Sequence, residues 1–106
     1  MNFRRVTLGL ALSLWLLGCA TSPPVQEMSD ARQAIAAAEE ADADRLAPQT
    51  IGEARDYLAQ AEEQIRDRNY GLARGSAMRA RTRAIYALQA SQAAQEAEDP
   101  QETTNN

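Results

Sequence analysis

IGEARDYLAQAEEQIRDRNYGLARGSAMRARTRAIYALQASQAAQEA, residues 51–97, carries the two repeats of small and aliphatic side chains that decide the fold. Ile51, Ala54, Leu58, Ala61 and Ile65 are spaced 3, 4, 3, 4, the stripe of a helix packed along one face. Ala73, Ala77, Ala80, Ala84, Ala87, Ser91 and Ala94 then follow at 4, 3, 4, 3, 4, 3. Asn69-Tyr70-Gly71 between them reads as a tight turn, with Asn69 able to cap the helix that follows. A connection that short makes the two helices antiparallel. Seven small residues on one seam let backbones approach closely, and Leu72, Ile85 and Leu88 are expected to fill its edges.

Upstream, a further helix is expected to start after Ser29, an N-cap with Asp30 in the first turn, and to run to about Leu46. Ala31, Ala34, Ile35, Ala38, Ala41 and Leu46 share one broad face of it. Ala47-Pro48 ends it, because the residue before proline is pushed out of the α region. The next helix begins at Pro48, a favoured first position, or at Thr50, where Thr50-Ile51-Gly52-Glu53 has the spacing of a capping box. It ends around Asp67-Arg68, and the last helix runs to about Ala97. The fold class is therefore all-α: a small antiparallel helical hairpin or three-helix bundle over residues 29–97.

The flanks differ in kind. Met1-Asn2-Phe3-Arg4-Arg5 is basic, and Val6 to Leu17 is an apolar run of twelve. As a helix that run rises about 18 Å, short of the roughly 30 Å of a bilayer core, so residues 1–18 read as a signal peptide. Leu16-Leu17-Gly18-Cys19 resembles a bacterial lipobox. That resemblance implies diacylglyceryl transfer to the Cys19 sulfur, cleavage before Cys19 and acylation of the new amino terminus with chains such as palmitate. Two or three acyl chains make a stable membrane anchor where one is marginal. In Gram-negative lipoproteins an Asp after the Cys favours inner-membrane retention; Ala20 here implies the outer membrane, on its periplasmic leaflet. The rest of a twin-arginine motif does not surround Arg4-Arg5, and general secretion is expected. Residues 20–27 have the composition of an extended tether, and residues 98–106 that of a disordered tail.

Composition excludes much chemistry. The chain has 106 residues, no His and one Cys, which rules out Cys/His metal clusters, His-based triads and an intrachain disulfide. An oxidising periplasm suits a chain whose single Cys carries lipid. From Cys19 onward there are nine Arg, no Lys and fifteen acids, net −6. Nucleic acid is not expected as a partner of an exported acidic chain. Residues 27–67 are net −7, 68–94 net +5 and 95–106 net −4. The expected resting place of Arg74, Arg79, Arg81 and Arg83 is opposite the acidic helix carrying Glu53, Asp56, Glu62 and Glu63, or in solvent. The alternative is an interaction patch for an envelope protein, peptidoglycan or lipid phosphates.

Glu39, Glu40, Asp42 and Asp44 lack the glycine-containing loop of a Ca²⁺ site and are expected to be a solvated face. No catalytic residue, cofactor or metal is expected. Tyr57, Tyr70 and Tyr86 read as edge-of-core and turn packing. Few large aliphatics remain after the signal, so close alanine packing, self-association or a partner must supplement the core.

Ala31-x-x-Ala34-Ile35-x-x-Ala38-Glu39, Ala47-Pro48, Ala54-x-x-x-Leu58-x-x-Ala61, Asn69-Tyr70-x-x-Ala73 and Ala77-x-x-Ala80 together resemble the envelope-lipoprotein family catalogued as domain of unknown function 4398. Its members are often joined to an OmpA-like peptidoglycan-binding domain, which is not expected within these residues. The hairpin around Asn69-Tyr70-x-x-Ala73 is also similar to one tetratricopeptide repeat; a single repeat forms no concave groove. The functional expectation is a non-catalytic structural or adaptor lipoprotein, anchored through Cys19; the alternative is a dedicated binding module using the arginine face or the alanine seam.

Overall fold

The computed structural model describes residues 22–99. They form four helices: α1 (Val25–Glu40), α2 (Ala43–Leu46), α3 (Pro48–Arg66) and α4 (Tyr70–Glu98). The three long ones make an all-α bundle in which α4 packs against both α1 and α3. Met28 of α1 meets Ala61 of α3 and Ala77 of α4 at one end, and Ile35 and Ala38 meet Ala54, Ala84 and Ala87 further along. Residue numbers rise together along α1 and α4 and fall along α3. The bundle is thus α1 and α4 parallel, with α3 antiparallel to both. The signal peptide, Cys19 and residues 100–106 of the expected tail lie outside the described residues.

Alanine makes the core. Among the described residues Ala73, Ala77, Ala80, Ala84 and Ala87 are fully buried along α4, as are Ala31, Ala38, Ala54 and Ala61 on the facing helices. Ile51 is the largest fully buried side chain. Ser91 continues the seam by donating its hydroxyl to the Ala87 carbonyl oxygen at 2.8 Å, and Ser76 donates to Gln64 Oε1 at 2.7 Å. Both hydroxyls are buried yet satisfied, so the seam stays close-packed without an orphaned polar group. Because α1 and α3 fill the seam, it is not open to a partner or to a second copy, one of the expected docking modes. Leu58, Ile65 and Leu88 pack half-buried along its edges, whereas Leu72 is 63% exposed instead of filling one.

The start of α1 corrects two expectations. Ser29 is not an N-cap, and residues 25–28 are helix, not tether. Pro24 takes the N-cap position, and its carbonyl accepts the Met28 N–H at 3.0 Å. Met28, Ala31, Ile35 and Ala38 are the buried stripe, spaced 3, 4, 3. Burying Met28 outweighs the side-chain cap that Ser29 offers, because packing of an amphipathic face supplies most helix stability in a folded domain.

The expected helix to Leu46 is broken. α1 stops at Glu40, and Asp42 adopts a left-handed conformation with φ 65°. Its amide donates to the Glu39 carbonyl at 3.0 Å, and its own carbonyl accepts Leu46 N–H at 2.9 Å to start the single turn of α2. Asp tolerates this conformation better than most residues. The kink tucks Ala43 and Ala47 inward, where both are buried.

Of the two possible openings of α3, Pro48 is the first residue and Thr50 lies within the helix. The α3–α4 turn falls at residues 67–69, two residues earlier than the expected Asn69-Tyr70-Gly71. Arg68, with φ 61°, is its left-handed residue, and Gly71 is helical. Asn69 N–H donates to Gln64 O at 2.7 Å and Arg68 N–H to Ile65 O at 3.0 Å. That pair is the Schellman closure of a helix C-terminus. Asn69 does stand at the N-cap of α4, without a side-chain hydrogen bond.

At the far end, α4 runs to Glu98 and so takes in the first residue assigned to the tail. Glu98 is held by Arg45 through hydrogen bonds of 3.0 and 3.2 Å.

Candidate functional site

The four arginines singled out on α4 do not form one patch. At 100° per residue, Arg74 and Arg81 lie two turns apart on the flank facing α1, while Arg79 and Arg83 lie one turn apart on the flank facing α3. The buried seam separates the two flanks. Arg74 Nε donates to Glu27 Oε1 of α1 at 3.0 Å, half-buried. Arg83 sits 3.4 Å from Glu53 of α3. Arg79 and Arg81 are exposed and make no ion pair among the described residues. Of the expected pairings across the hairpin, only Arg83 with Glu53 forms. Glu62 goes instead to Arg32 of α1 at 3.3 Å.

Between α3 and α4, Tyr57, Met78, Arg79, Thr82, Arg83 and Tyr86 line an open groove of about 390 Å³. Tyr86 is 53% exposed, so it is not the edge-of-core aromatic expected from its position. The spacing 79, 82, 83, 86 places these side chains together along the side of α4 next to α3, outside the buried alanine seam. The groove continues past Glu53, Asp56 and Gln60. It therefore offers mixed charge with two phenolic hydroxyls, and a cation at its α4 rim.

Around α2 the chain assembles an ion-pair network that block counting of charges misses. Arg55 of α3 bridges Glu39 of α1 at 2.9 Å and Asp44 of α2 at 2.8 Å. Arg45 bridges Asp42 at 2.6 Å and Glu98 at 3.0 Å. Gln95 donates its amide to the Ala41 carbonyl at 2.9 Å, which occupies an acceptor at the C-terminus of α1. Three carboxylates of the acidic run are thus paired with arginine, and Glu40 is exposed. No group of three or more His, Cys, Asp or Glu among the described residues is arranged to hold a metal ion.

The guanidinium of Arg55 holds the Asp44 carboxyl below its usual value by hydrogen bonding, and Arg45 does the same to Glu98. The two arginines are correspondingly raised further above their already high values. A carboxylate whose pKa is depressed on folding contributes stability that is complete above its unfolded value and is lost as the pH falls through the folded one. The thermal midpoint is therefore expected to decline below roughly pH 4. Asp44→Asn combined with Glu98→Gln should flatten that decline, and circular-dichroism melts from neutral to acid pH measure it. The carboxylates are exposed on the surface, so solvent screening keeps the difference small.

The architecture and chemistry on view define a class: a small alanine-cored helical bundle whose charged surface is organised by interhelical arginine–carboxylate pairs. The match to known families is specific over most of the chain. Residues 26–103 match the family described as Domain of unknown function (DUF4398), and the chain belongs to it. No curated protein and no solved structure matches the chain. Among the described residues no helix is long and apolar enough to cross a membrane.

Proposed function

We propose that the protein is an outer-membrane-anchored periplasmic lipoprotein with a non-catalytic structural or adaptor role in the cell envelope. The observation that carries this reading is Leu16-Leu17-Gly18-Cys19 directly after an apolar run of twelve, with Ala20 next as the sorting residue. Support comes from the distance between that motif and the fold. Five residues separate Cys19 from the first residue of α1, so the bundle stands on a short leash. Five of its nine arginines, Arg32, Arg45, Arg55, Arg74 and Arg83, pair with a carboxylate of another helix, which suits a rigid element.

Intact mass and membrane fractionation test the proposal. The expected result is a mature mass lacking residues 1–18 and carrying acyl chains, in the outer-membrane fraction. Cys19→Ser should lose both the added mass and the fractionation. An unmodified secreted chain defeats the proposal.

A second reading, a dedicated binding module, is favoured by Arg79 and Arg81. They are exposed cations on opposite flanks of α4, each with no carboxylate partner among the described residues, so each offers its own contact. An anionic envelope protein, peptidoglycan carboxylates or lipid phosphates would complement them. Arg79→Glu with Arg81→Glu is the informative variant, since Arg74 and Arg83 already serve interhelical pairs. Loss of a co-purifying partner at unchanged helix content supports the module; an unchanged set of partners favours the structural role.

A further inference from the structure

The bundle has one end where unpaired cations and exposed aliphatic side chains coincide. α1 and α4 begin there and α3 ends there, so Val25, the turn at residues 67–69 and the first turn of α4 are gathered at a single tip. Val25 is 73% exposed and Leu72 63%, the two most exposed large hydrophobic side chains among the described residues. Arg66 and Arg68 are exposed and make no ion pair among those residues. By contrast Arg32, Arg45, Arg55, Arg74 and Arg83 all do; Arg79 and Arg81, also unpaired, lie further along α4, away from Val25 and Leu72. Asp67 between the two arginines leaves the turn net positive. Tyr70 is half-buried beside it. Next to Val25, an open groove of about 280 Å³ runs between Pro23, Met28 and Ile65.

We propose that this tip rests on the anionic lipid surface to which Cys19 is anchored, with Leu72 and Val25 among the headgroups and Arg66 and Arg68 on lipid phosphates. The inference rests on the lipid-anchor reading and deepens it by assigning the face that meets the membrane. Two observations select a lipid surface as the occupant. The six residue steps from Cys19 to Val25 reach at most about 22 Å when fully extended, so this end is held beside the bilayer, and the tether makes the encounter intramolecular. The side-chain chemistry is also complementary. Guanidinium groups pair with phosphate, exposed aliphatics partition into the headgroup boundary, and tyrosine favours that interface.

The test uses the acylated mature protein in vesicles of phosphatidylcholine and phosphatidylglycerol containing a lipid quencher placed just below the headgroups. Lipid occupies the Cys19 sulfur, so Leu72→Cys supplies a single thiol for a fluorescent label. Gln92→Cys, twenty residues along α4 and therefore about 30 Å away, is the comparison. The label at 72 is expected to be quenched and the label at 92 to be spared. Arg66→Glu with Arg68→Glu should cut the quenching at 72 several-fold at unchanged helix content, while the acyl chains keep the protein on the vesicle.

An acylated, vesicle-bound protein whose label at 72 is unquenched, or whose labels at 72 and 92 are quenched alike, overturns the docked orientation and leaves the anchor standing. Quenching that survives the charge reversal undiminished overturns it as well. A label at 72 already shielded in detergent, in a particle of twice the chain's mass, assigns the tip to a second copy and overturns it. A chain that carries no acyl mass and does not bind vesicles overturns both readings.

Discussion

Ile51→Ala is expected to destabilise the bundle by about 2–5 kcal/mol, the cost of removing a large buried aliphatic side chain and leaving part of its volume empty. In a core this poor in bulk the upper half of that range applies. Ile51 is fully buried, and its cluster consists of alanines together with Ile35, Leu58 and Leu88. Alanines have no rotamers with which to move into the vacated space. A domain of this length has a total stability on the order of 4–12 kcal/mol, so the variant should lie near the edge of folding. Chemical denaturation followed by circular dichroism measures it. Ile51→Val, which removes one methyl group, should lose only about 1 kcal/mol. Equal effects for the two substitutions would show that the site relaxes freely, contrary to the packing described.

The opposite error is expected to be nearly as damaging. Ala84→Leu adds volume where α4 lies against Ile35 and Ala38 of α1 and Ala54 of α3. Overpacking a closed site typically costs 1–3 kcal/mol, and the top of that range or beyond is expected because backbone bounds the space on several sides. Leucine is a good helix former, so α4 itself should persist while its neighbours are pushed apart. The expected result is a lowered denaturation midpoint with far-ultraviolet helix signal largely retained. Thr82→Leu on the exposed face of the same helix is the comparison, and it should change the midpoint little. A tolerated leucine at position 84 would mean that the seam is loosely apposed.

These two positions also show which parts of the architecture are written openly in the sequence. Ile51 and Ala84 belong to stripes with 3-4 spacing bounded by Pro48 and a polar turn, and local spacing suffices to place such residues on a buried face. The structure departs from local sequence signals where two of them compete. Ser29 has the side chain of a cap, yet Met28 one residue earlier continues the stripe of α1, and tertiary packing decides between them. The spacing from Ala38 to Ala43 to Ala47 to Ile51 is 5, 4, 4. That departure from the 3-4 rhythm coincides with the kink at Asp42.

At the α3–α4 connection, glycine drew the expected turn toward Gly71. The chain instead spends its left-handed conformation on Arg68 and keeps the glycine in a helix. The arginine partners were less legible for a different reason. Sequence shows that α4 carries charge on two flanks, but only the three-dimensional order of helices reveals that α1 covers one flank and α3 the other. Glu27 and Glu53 therefore divide Arg74 and Arg83 between them.

A helical hairpin returns its chain to the plane from which it set out, and so would any even number of long helices. This bundle has three, α2 being a single turn within a connection. The backbone consequently enters at one extremity near Pro24 and leaves at the other near Asp99. α4 alone, at 29 residues, spans about 43 Å. The molecule has the geometry of a strut: whatever restrains its amino-terminal side is kept a fixed distance from whatever follows its carboxy-terminal side. The guanidinium of Arg45, gripping Glu98 from the inter-helix corner, braces the distal tip of that strut.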